Sequence, residues 1–172
     1  KVKSFHGIEA SYDLLILATG SSAFVPQIPG VEKKGVFIYR TIEDLEMMTA
    51  YAKKAKTGAV IGGGLLGLEA AKAMIGLGVT DTHVIEFAPR LMPRQIDDRG
   101  SAILASRLNA LGLTIHTNKQ TVSIEGDNQI QSLQFSFHQD WINNKVPYNK
   151  TKRTTEYQKA YPYGHTPFSI LI

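Results

Sequence analysis

Three glycines near the middle of the chain have the spacing of a phosphate-binding turn. Gly62, Gly64 and Gly67 form a G-x-G-x-x-G motif directly after a short apolar run and directly before a segment rich in helix-forming residues. In this arrangement the first glycine permits a tight turn, and the second lets the backbone approach a pyrophosphate. The third lets helix and strand pack closely. The spacing therefore predicts a strand, a turn and a helix that bind a dinucleotide.

The helix after the motif would supply the preference for an anion. We expect it to run from about Leu65 to Leu77 and to end at Gly78, which can adopt the left-handed cap conformation. Its first backbone N–H groups, including those of Leu65 and Leu66, have no partner within the helix and lie at the positive end of the helix dipole. A pyrophosphate can bind there without a lysine.

Glu86 is the candidate ligand for a ribose. It is the last polar residue of a predicted strand, Thr82–Phe87, and lies 19 positions after Gly67, close to the roughly 20 positions typical of the carboxylate that accepts from a ribose 2′-OH. A carboxylate there favours NAD over NADP. Arg90 and Arg94 leave the alternative open, because either could reach a 2′-phosphate. A glycine-rich turn in an ordinary βαβ unit, with Glu86 merely solvated, is the structural alternative.

Composition restricts the classes of function. The 172 residues contain no cysteine, which excludes disulfides, thiol nucleophiles and iron–sulfur ligation by these residues. No apolar run approaches the roughly 18 residues of a membrane span. The net charge is +4, with +1 on residues 1–135 and +3 on residues 136–172. A small basic excess of this kind favours solvation over nucleic-acid binding. We expect a cytoplasmic protein with neither nucleic-acid nor membrane partners.

Elements elsewhere must position the turn. The predicted strands alternate with helices, which indicates an α/β fold with a Rossmann-like parallel sheet and flanking helices. The other predicted elements are a hairpin strand at Lys1–Phe5, a buried strand at Leu14–Leu17, a strand at Val36–Tyr39, a helix from Thr41 to about Lys54, a helix from Asp97 or Asp98 to about Leu111, a strand at Leu113–His116, and a hairpin with its turn at Gly126. His83 and His116 read as packing or solvent residues.

The chain resembles the flavoprotein reductases with two dinucleotide domains, the pyridine nucleotide–disulfide oxidoreductase superfamily. The resemblance rests on Ala18-Thr19-Gly20 together with the glycine motif, and it covers about residues 8–135. Within the superfamily, residues 36–44, 62–71 and 85–97 look most like the large subunits of NADH nitrite reductases. Rubredoxin and ferredoxin reductases are similar to a smaller degree.

The resemblance implies residue roles and cofactors. Ala18, Thr19 and Gly20 match a strand end that lies against FAD, and Arg40 matches an arginine that approaches the flavin. Glu69 matches a glutamate near the nicotinamide. The candidate cofactor-binding residues are therefore Ala18, Thr19, Gly20, Arg40, Gly62, Gly64, Leu65, Leu66, Gly67, Glu69, Glu86 and Arg94. In such enzymes hydride passes from NAD(H) to FAD, and the implied partners are the remainder of the FAD domain and downstream redox domains.

The resemblance also divides the chain. Residues 1–40 match a remnant of an FAD-binding domain, residues 41–135 match an NAD(H)-binding Rossmann-like domain, and residues 136–172 form an atypical tail for which disorder is an expectation. The family's first glycine fingerprint and its later FAD-binding motif are not present in this sequence. Two hypotheses follow: a flavin-dependent oxidoreductase, and a truncated, non-catalytic chain that only binds a dinucleotide. We expect the 172 residues alone to be inactive.

Overall fold

A computed structural model describes residues 1–137 and 168–171 of the chain. In chain order the elements are β1 (Val2–Lys3), β2 (Glu9–Ala10), α1 (Ile42–Ala52), β3 (Thr57–Ile61), α2 (Leu65–Gly76), β4 (Asp81–Ile85), α3 (Asp98–Ala110), β5 (Leu113–His116), β6 (Lys119–Glu125), β7 (Ser132–Phe137) and β8 (Phe168–Leu171).

A four-stranded parallel sheet in the order β5-β4-β3-β8 forms the centre of the fold. β3 and β4 pair from Thr57↔Asp81 to Ile61↔Ile85, so both strands end at the same edge. The helices α2 and α3 connect consecutive parallel strands, as in a βαβ unit. The predicted α/β fold with a Rossmann-like parallel sheet is confirmed.

The main core lies between this sheet and the helices. Small residues on the inner face of α2 let the helix approach the sheet closely, and larger side chains from the strands and loops fill the remaining space. The buried members of this core include Val60, Leu68, Ala70, Ala71, Met74, Val79, Val84, Leu91 and Leu113. Burial on both faces explains why β3 and β4 end in the apolar runs Ala59–Ile61 and Val84–Ile85.

The three helices begin in different ways. Thr41 caps α1 in a reciprocal capping box with Asp44. Asp97, rather than Asp98, caps α3, its carboxylate accepting from the Gly100 N–H at 2.8 Å. The helix α2 begins at Gly64 with no side-chain cap. Of the three helices in the described part of the chain, α2 alone starts without a side-chain acceptor at its N-terminus.

A second, smaller cluster of buried apolar residues lies against β3. The antiparallel hairpin β6–β7 packs through Ile124 and Ile130 against Ala59 of β3 and against the segment around Ile28. The N–H of Ile124 donates to the Pro29 carbonyl at 2.8 Å. The predicted hairpin and its turn near Gly126 are confirmed.

Two predicted strands are wrong. Residues 14–17 form no strand, and Leu14 is 92% exposed. Residues 36–39 also form no strand; Phe37 instead packs edge-on against Tyr51 of α1 at a ring-centroid distance of 5.4 Å. An apolar run becomes a strand only when a neighbouring strand pairs with its backbone. Among residues 1–137 and 168–171 neither segment belongs to a sheet, and Val36 forms only an isolated bridge.

Most of the predicted atypical tail lies outside the described residues. Of the tail, Ser136 and Phe137 belong to β7, and Phe168–Leu171 pair with β3 as β8. Across the described ranges no helix is long and apolar enough to cross a membrane. Nor does any cluster of His, Cys, Asp and Glu in those ranges have the make-up of a metal site.

Candidate dinucleotide-binding site

The glycine turn stands at the carboxyl edge of the parallel sheet, between β3 and α2. Gly62 has φ +119°, a backbone conformation that residues with a Cβ rarely adopt. Its N–H donates to the carbonyl of Ile85 at 2.8 Å, which extends the pairing of β3 with β4 by one bond. The first glycine therefore permits the reversal out of the strand.

The second glycine, Gly64, faces open space, whereas the third, Gly67, is tightly packed. A Cβ added at Gly64 would meet no atom within 4 Å, whereas one added at Gly67 would lie 2.0 Å from the Gly62 carbonyl oxygen. Gly64 thus leaves its backbone accessible to a ligand, and Gly67 lets the first turn of α2 touch the turn below it. These are the two geometries that the motif requires.

The N-terminus of α2 has the character of an anion site. No side chain caps it, its first turn contains no acidic residue, and Leu65 and Leu66 are exposed. The first N–H groups of a helix carry partial positive charge and need acceptors. A phosphate group at this position would supply them.

Glu86 lies beside the turn and is held there by the backbone. One carboxylate oxygen, Oε2, accepts from the Gly63 N–H at 2.5 Å, and Oε1 accepts from the Ala88 N–H at 2.6 Å. The backbone of Glu86 is also fixed, because its N–H donates to the His116 carbonyl at 2.7 Å. A carboxylate has about four lone-pair positions, so two bonds leave it able to accept from a ribose hydroxyl.

The two arginines near Glu86 differ in their contacts. The Arg90 guanidinium pairs with Asp98 and donates to the Pro93 carbonyl at 3.1 Å. These contacts direct Arg90 toward α3. Arg94 is exposed, and among the described residues it makes no ion pair. Of the two arginines, only Arg94 keeps a side chain available for a 2′-phosphate.

The residues assigned to the flavin side form a separate group. Arg40 donates to the Ser21 hydroxyl at 2.8 Å, which places it beside the exposed segment Ala18–Gly20. Glu69 is exposed on α2. The structure therefore brings Glu86 to the glycine turn and Arg40 to the end of Ala18–Gly20, and no direct contact joins the two groups among the described residues.

An apolar cavity of about 450 Å³ lies between the glycine turn and the segment that follows Gly20. Leu66 and Gly67 form part of its wall, and residues 23–28 and 36–39 contribute most of the remainder. The sequence analysis missed this cavity and the roles of Gly63 and Ala88. Two sequence signals could have indicated them. Gly63 makes residues 62–64 an unbroken run of three glycines, and Phe24-Val25 is an apolar pair close to the cavity.

Two histidines from neighbouring strands of the parallel sheet, His83 of β4 and His116 of β5, contact each other. His83 Nδ1 and His116 Nε2 are 3.0 Å apart, and the rings stack at a centroid distance of 5.3 Å. Burial, followed by the charges of His83 and Lys119, lowers the pKa of His116 to about 4. His116 is therefore neutral at physiological pH, which is compatible with the expectation of a packing or solvent residue.

Comparison with known proteins places this geometry in a family. The pyridine nucleotide-disulphide oxidoreductase family matches residues 1–142. The large subunit of nitrite reductase [NAD(P)H] from Klebsiella oxytoca is 48% identical over 134 residues, covering 78% of this chain and 14% of that protein. A rubredoxin-NAD(+) reductase from Pseudomonas putida is 38% identical over 122 residues, covering 71% of this chain and 31% of that protein.

Solved structures agree with the fold. A ferredoxin reductase from Rhodopseudomonas palustris covers 97% of this chain at a TM-score of 0.72 and 21% identity, with 35% of that chain covered. A water-forming NADH oxidase from Lactobacillus brevis, solved with NADH bound, covers 76% of this chain at a TM-score of 0.63 and 25% identity, with 28% of that chain covered. The chain spans about a seventh of the Klebsiella relative's length. By its sequence and fold, this chain belongs to the pyridine nucleotide-disulphide oxidoreductase family.

Proposed function

We propose that this chain is the NAD(H)-binding portion of a flavin-dependent NADH oxidoreductase that passes hydride from NADH to FAD in the cytoplasm. The observation that carries the proposal is Glu86, held by two backbone N–H groups directly beside an uncapped helix N-terminus. One feature suits the adenosine ribose and the other suits the pyrophosphate. The 48% identity to a nitrite reductase large subunit supports such a subunit as the parent protein.

Different residues of the site bind different parts of the dinucleotide. Gly64 leaves room for the pyrophosphate, and the N–H groups of Leu65 and Leu66 donate to it. Glu86 accepts from the ribose, and we assign Glu69 to the nicotinamide end of the site. Bound NADH supplies the hydride, and the protein orients its ring toward the flavin and excludes water.

The flavin side is assigned to Ala18–Gly20 and Arg40. The exposed apolar run Leu14–Leu17 leads into this segment, and we assign it to an interface with the remainder of an FAD-binding domain. Residues 1–40 would then belong to that domain, and residues 41–135 to the NAD(H)-binding domain.

Replacement of Glu86 tests the proposal directly. Glu86→Ala should weaken NADH binding by roughly 1–3 kcal/mol, the value of a hydrogen bond to a charged group, and should reduce discrimination against NADPH. Fluorescence titration of the purified chain measures both affinities. Glu46→Ala is the matched control, because Glu46 is exposed on α1. Equal NADH affinity in Glu86→Ala and the unmodified chain would show that Glu86 does not bind the ribose.

Flavin content separates an active oxidoreductase from a chain that only binds a dinucleotide. We expect the purified 172 residues to bind NADH but to retain no flavin, because the sequence has one glycine fingerprint rather than the two of the family. Stoichiometric flavin that bleaches with NADH would contradict this expectation.

A rubredoxin or ferredoxin reductase is the second candidate, supported by the 38% identity to the Pseudomonas enzyme. Sequencing the coding DNA on both sides separates the candidates. Downstream cysteine clusters suited to sirohaem and iron–sulfur ligation would identify a nitrite reductase. Their absence from a complete reading frame would favour the second candidate.

A further inference from the structure

Gly63, between the first two glycines of the motif, joins the glycine turn to the loop that follows β4. Its N–H donates to Glu86 Oε2 at 2.5 Å, and its carbonyl accepts from the Met92 N–H at 3.0 Å. Met92 has φ +46°, so the loop adopts a left-handed conformation at the residue that makes this contact. The backbone N–H and the backbone carbonyl of buried Gly63 therefore both bind the loop that follows β4.

The contact leaves no space for a side chain at Gly63. An added Cβ would lie 2.6 Å from Leu91 Cδ2, 3.0 Å from Glu86 Oε2 and 3.1 Å from Glu86 Cβ. Leu91 is only 1% exposed, so its tip is enclosed by the core and has little freedom to move away. A Cβ at this position would therefore push the turn away from Glu86.

The adjacent Gly64 provides an internal contrast. A Cβ there meets nothing within 4 Å, and neither Gly63 nor Gly64 has a φ in the left-handed region. Alanine is thus compatible with the backbone at both positions. It would disturb Glu86 at position 63, and it would occupy ligand space at position 64.

We propose that Gly63 is a positioning residue that sets selectivity for NADH over NADPH by fixing the Glu86 carboxylate against the glycine turn. The inference rests on the proposed NAD(H) site. NADH and NADPH share the pyrophosphate and differ at the ribose 2′ position, where Glu86 acts. Displacement of Glu86 therefore changes the ratio of the two affinities, whereas obstruction at Gly64 weakens both equally.

The test compares dissociation constants for NADH and NADPH in four chains: unmodified, Gly63→Ala, Gly64→Ala, and Gly63→Ala combined with Leu91→Val. Gly63→Ala should weaken NADH about tenfold, as expected for loss of one hydrogen bond to a charged group, with little change for NADPH. Gly64→Ala should weaken both by similar factors. Leu91→Val removes the Cδ2 atom that the new Cβ meets, so the double variant should recover part of the selectivity.

The outcomes separate this inference from the proposed function. An unchanged NADH-to-NADPH ratio in folded Gly63→Ala overturns the positioning role while leaving NADH binding intact. A chain that binds neither nucleotide overturns the proposed function, and the inference with it. Amide exchange on the unmodified chain is a second readout: NADH should protect the Gly63 N–H more than NADPH does at equal saturation. Equal protection by the two nucleotides also overturns the inference.

Discussion

Glu86 stabilises the protein itself in addition to its proposed contact with a ribose. Its two carboxylate oxygens accept from two different backbone N–H groups, those of Gly63 and Ala88. The residue type and its distance from Gly67 could be predicted from the sequence. The two donors could not, because they depend on how the turn after β3 and the loop after β4 meet in space.

This double acceptance leads to a prediction about stability. Glu86→Gln should lower the free energy of unfolding of the ligand-free chain by about 1–3 kcal/mol, because the amide NH₂ cannot accept from one of the two backbone N–H groups. Thermal or urea unfolding measures the change. Glu69→Gln, an exposed residue on α2, is the control. A Glu86→Gln chain as stable as the unmodified one would show that these bonds contribute little.

At the scale of elements, the helices were predicted well because their signals are local. Thr41 and Asp44 form the capping box that starts α1, and Gly78 and Gly112, with φ +93° and +92°, follow α2 and α3. The strands at 14–17 and 36–39 were predicted wrongly, because a strand requires partners that are distant in sequence.

The capping box of α1 can be tested by itself. Thr41→Ala should lower the free energy of unfolding by about 1 kcal/mol, since the Asp44 N–H loses its side-chain acceptor. Thr41→Ser keeps the hydroxyl and should retain most of the stability. Circular dichroism during chemical unfolding compares the three chains. A serine variant as unstable as the alanine variant would show that the hydroxyl is not the stabilising group.

The pairing of β4 with β5 places His116 beside His83, and this arrangement makes the stability of the fold depend on pH. Burial, then His83, then Lys119 lower the pKa of His116 to about 4 in the folded chain, whereas an unfolded histidine titrates near 6.5. Between these values the unfolded state binds the extra proton, so this contribution is complete above about pH 6.5 and is lost as the pH falls toward 4.

His116→Gln should therefore reduce the slope of melting temperature against pH between about 6.5 and 4. His83, Asp81 and Lys119 lie around the ring or its partner, so the comparison must keep all three unchanged. His6→Gln is the control, because His6 is exposed near the N-terminus. The same slope in the His116 variant and the unmodified chain would refute the assignment.

At the scale of the whole molecule, a compact Rossmann-like unit is joined to a segment that exposes apolar side chains. Leu14 and Ile16 are 92% and 89% exposed, and Phe24 is 90% exposed. Apolar groups exposed so densely are typical of surfaces that contact other protein. This agrees with the proposal that the first 40 residues belong to an FAD-binding domain.

This surface should make the isolated chain associate with itself. Changing Leu14 and Ile16 together to lysine should suppress concentration-dependent association and leave NADH affinity within about twofold, because the substituted side chains are exposed and lie outside the glycine turn. Analytical ultracentrifugation and NADH titration provide the two readouts. Lys53→Leu, an exposed change on the other part of the molecule, tests whether any added apolar group promotes association. Unchanged association in the lysine variant would exclude this surface as its cause.

Residue types and their spacing were enough to predict the family, the α/β fold, the approximate helix boundaries, the glycine turn and the acidic residue Glu86. These depend on residue types at fixed short spacings, which act through local backbone conformation. The folded structure was needed to show which apolar runs become strands, which N–H groups donate to Glu86, and that Arg90 pairs with Asp98. Those outcomes depend on packing between segments far apart in the chain. Gly63 is an example, because Leu91, which leaves no space for a side chain there, reaches it only after the sheet and its loops have assembled.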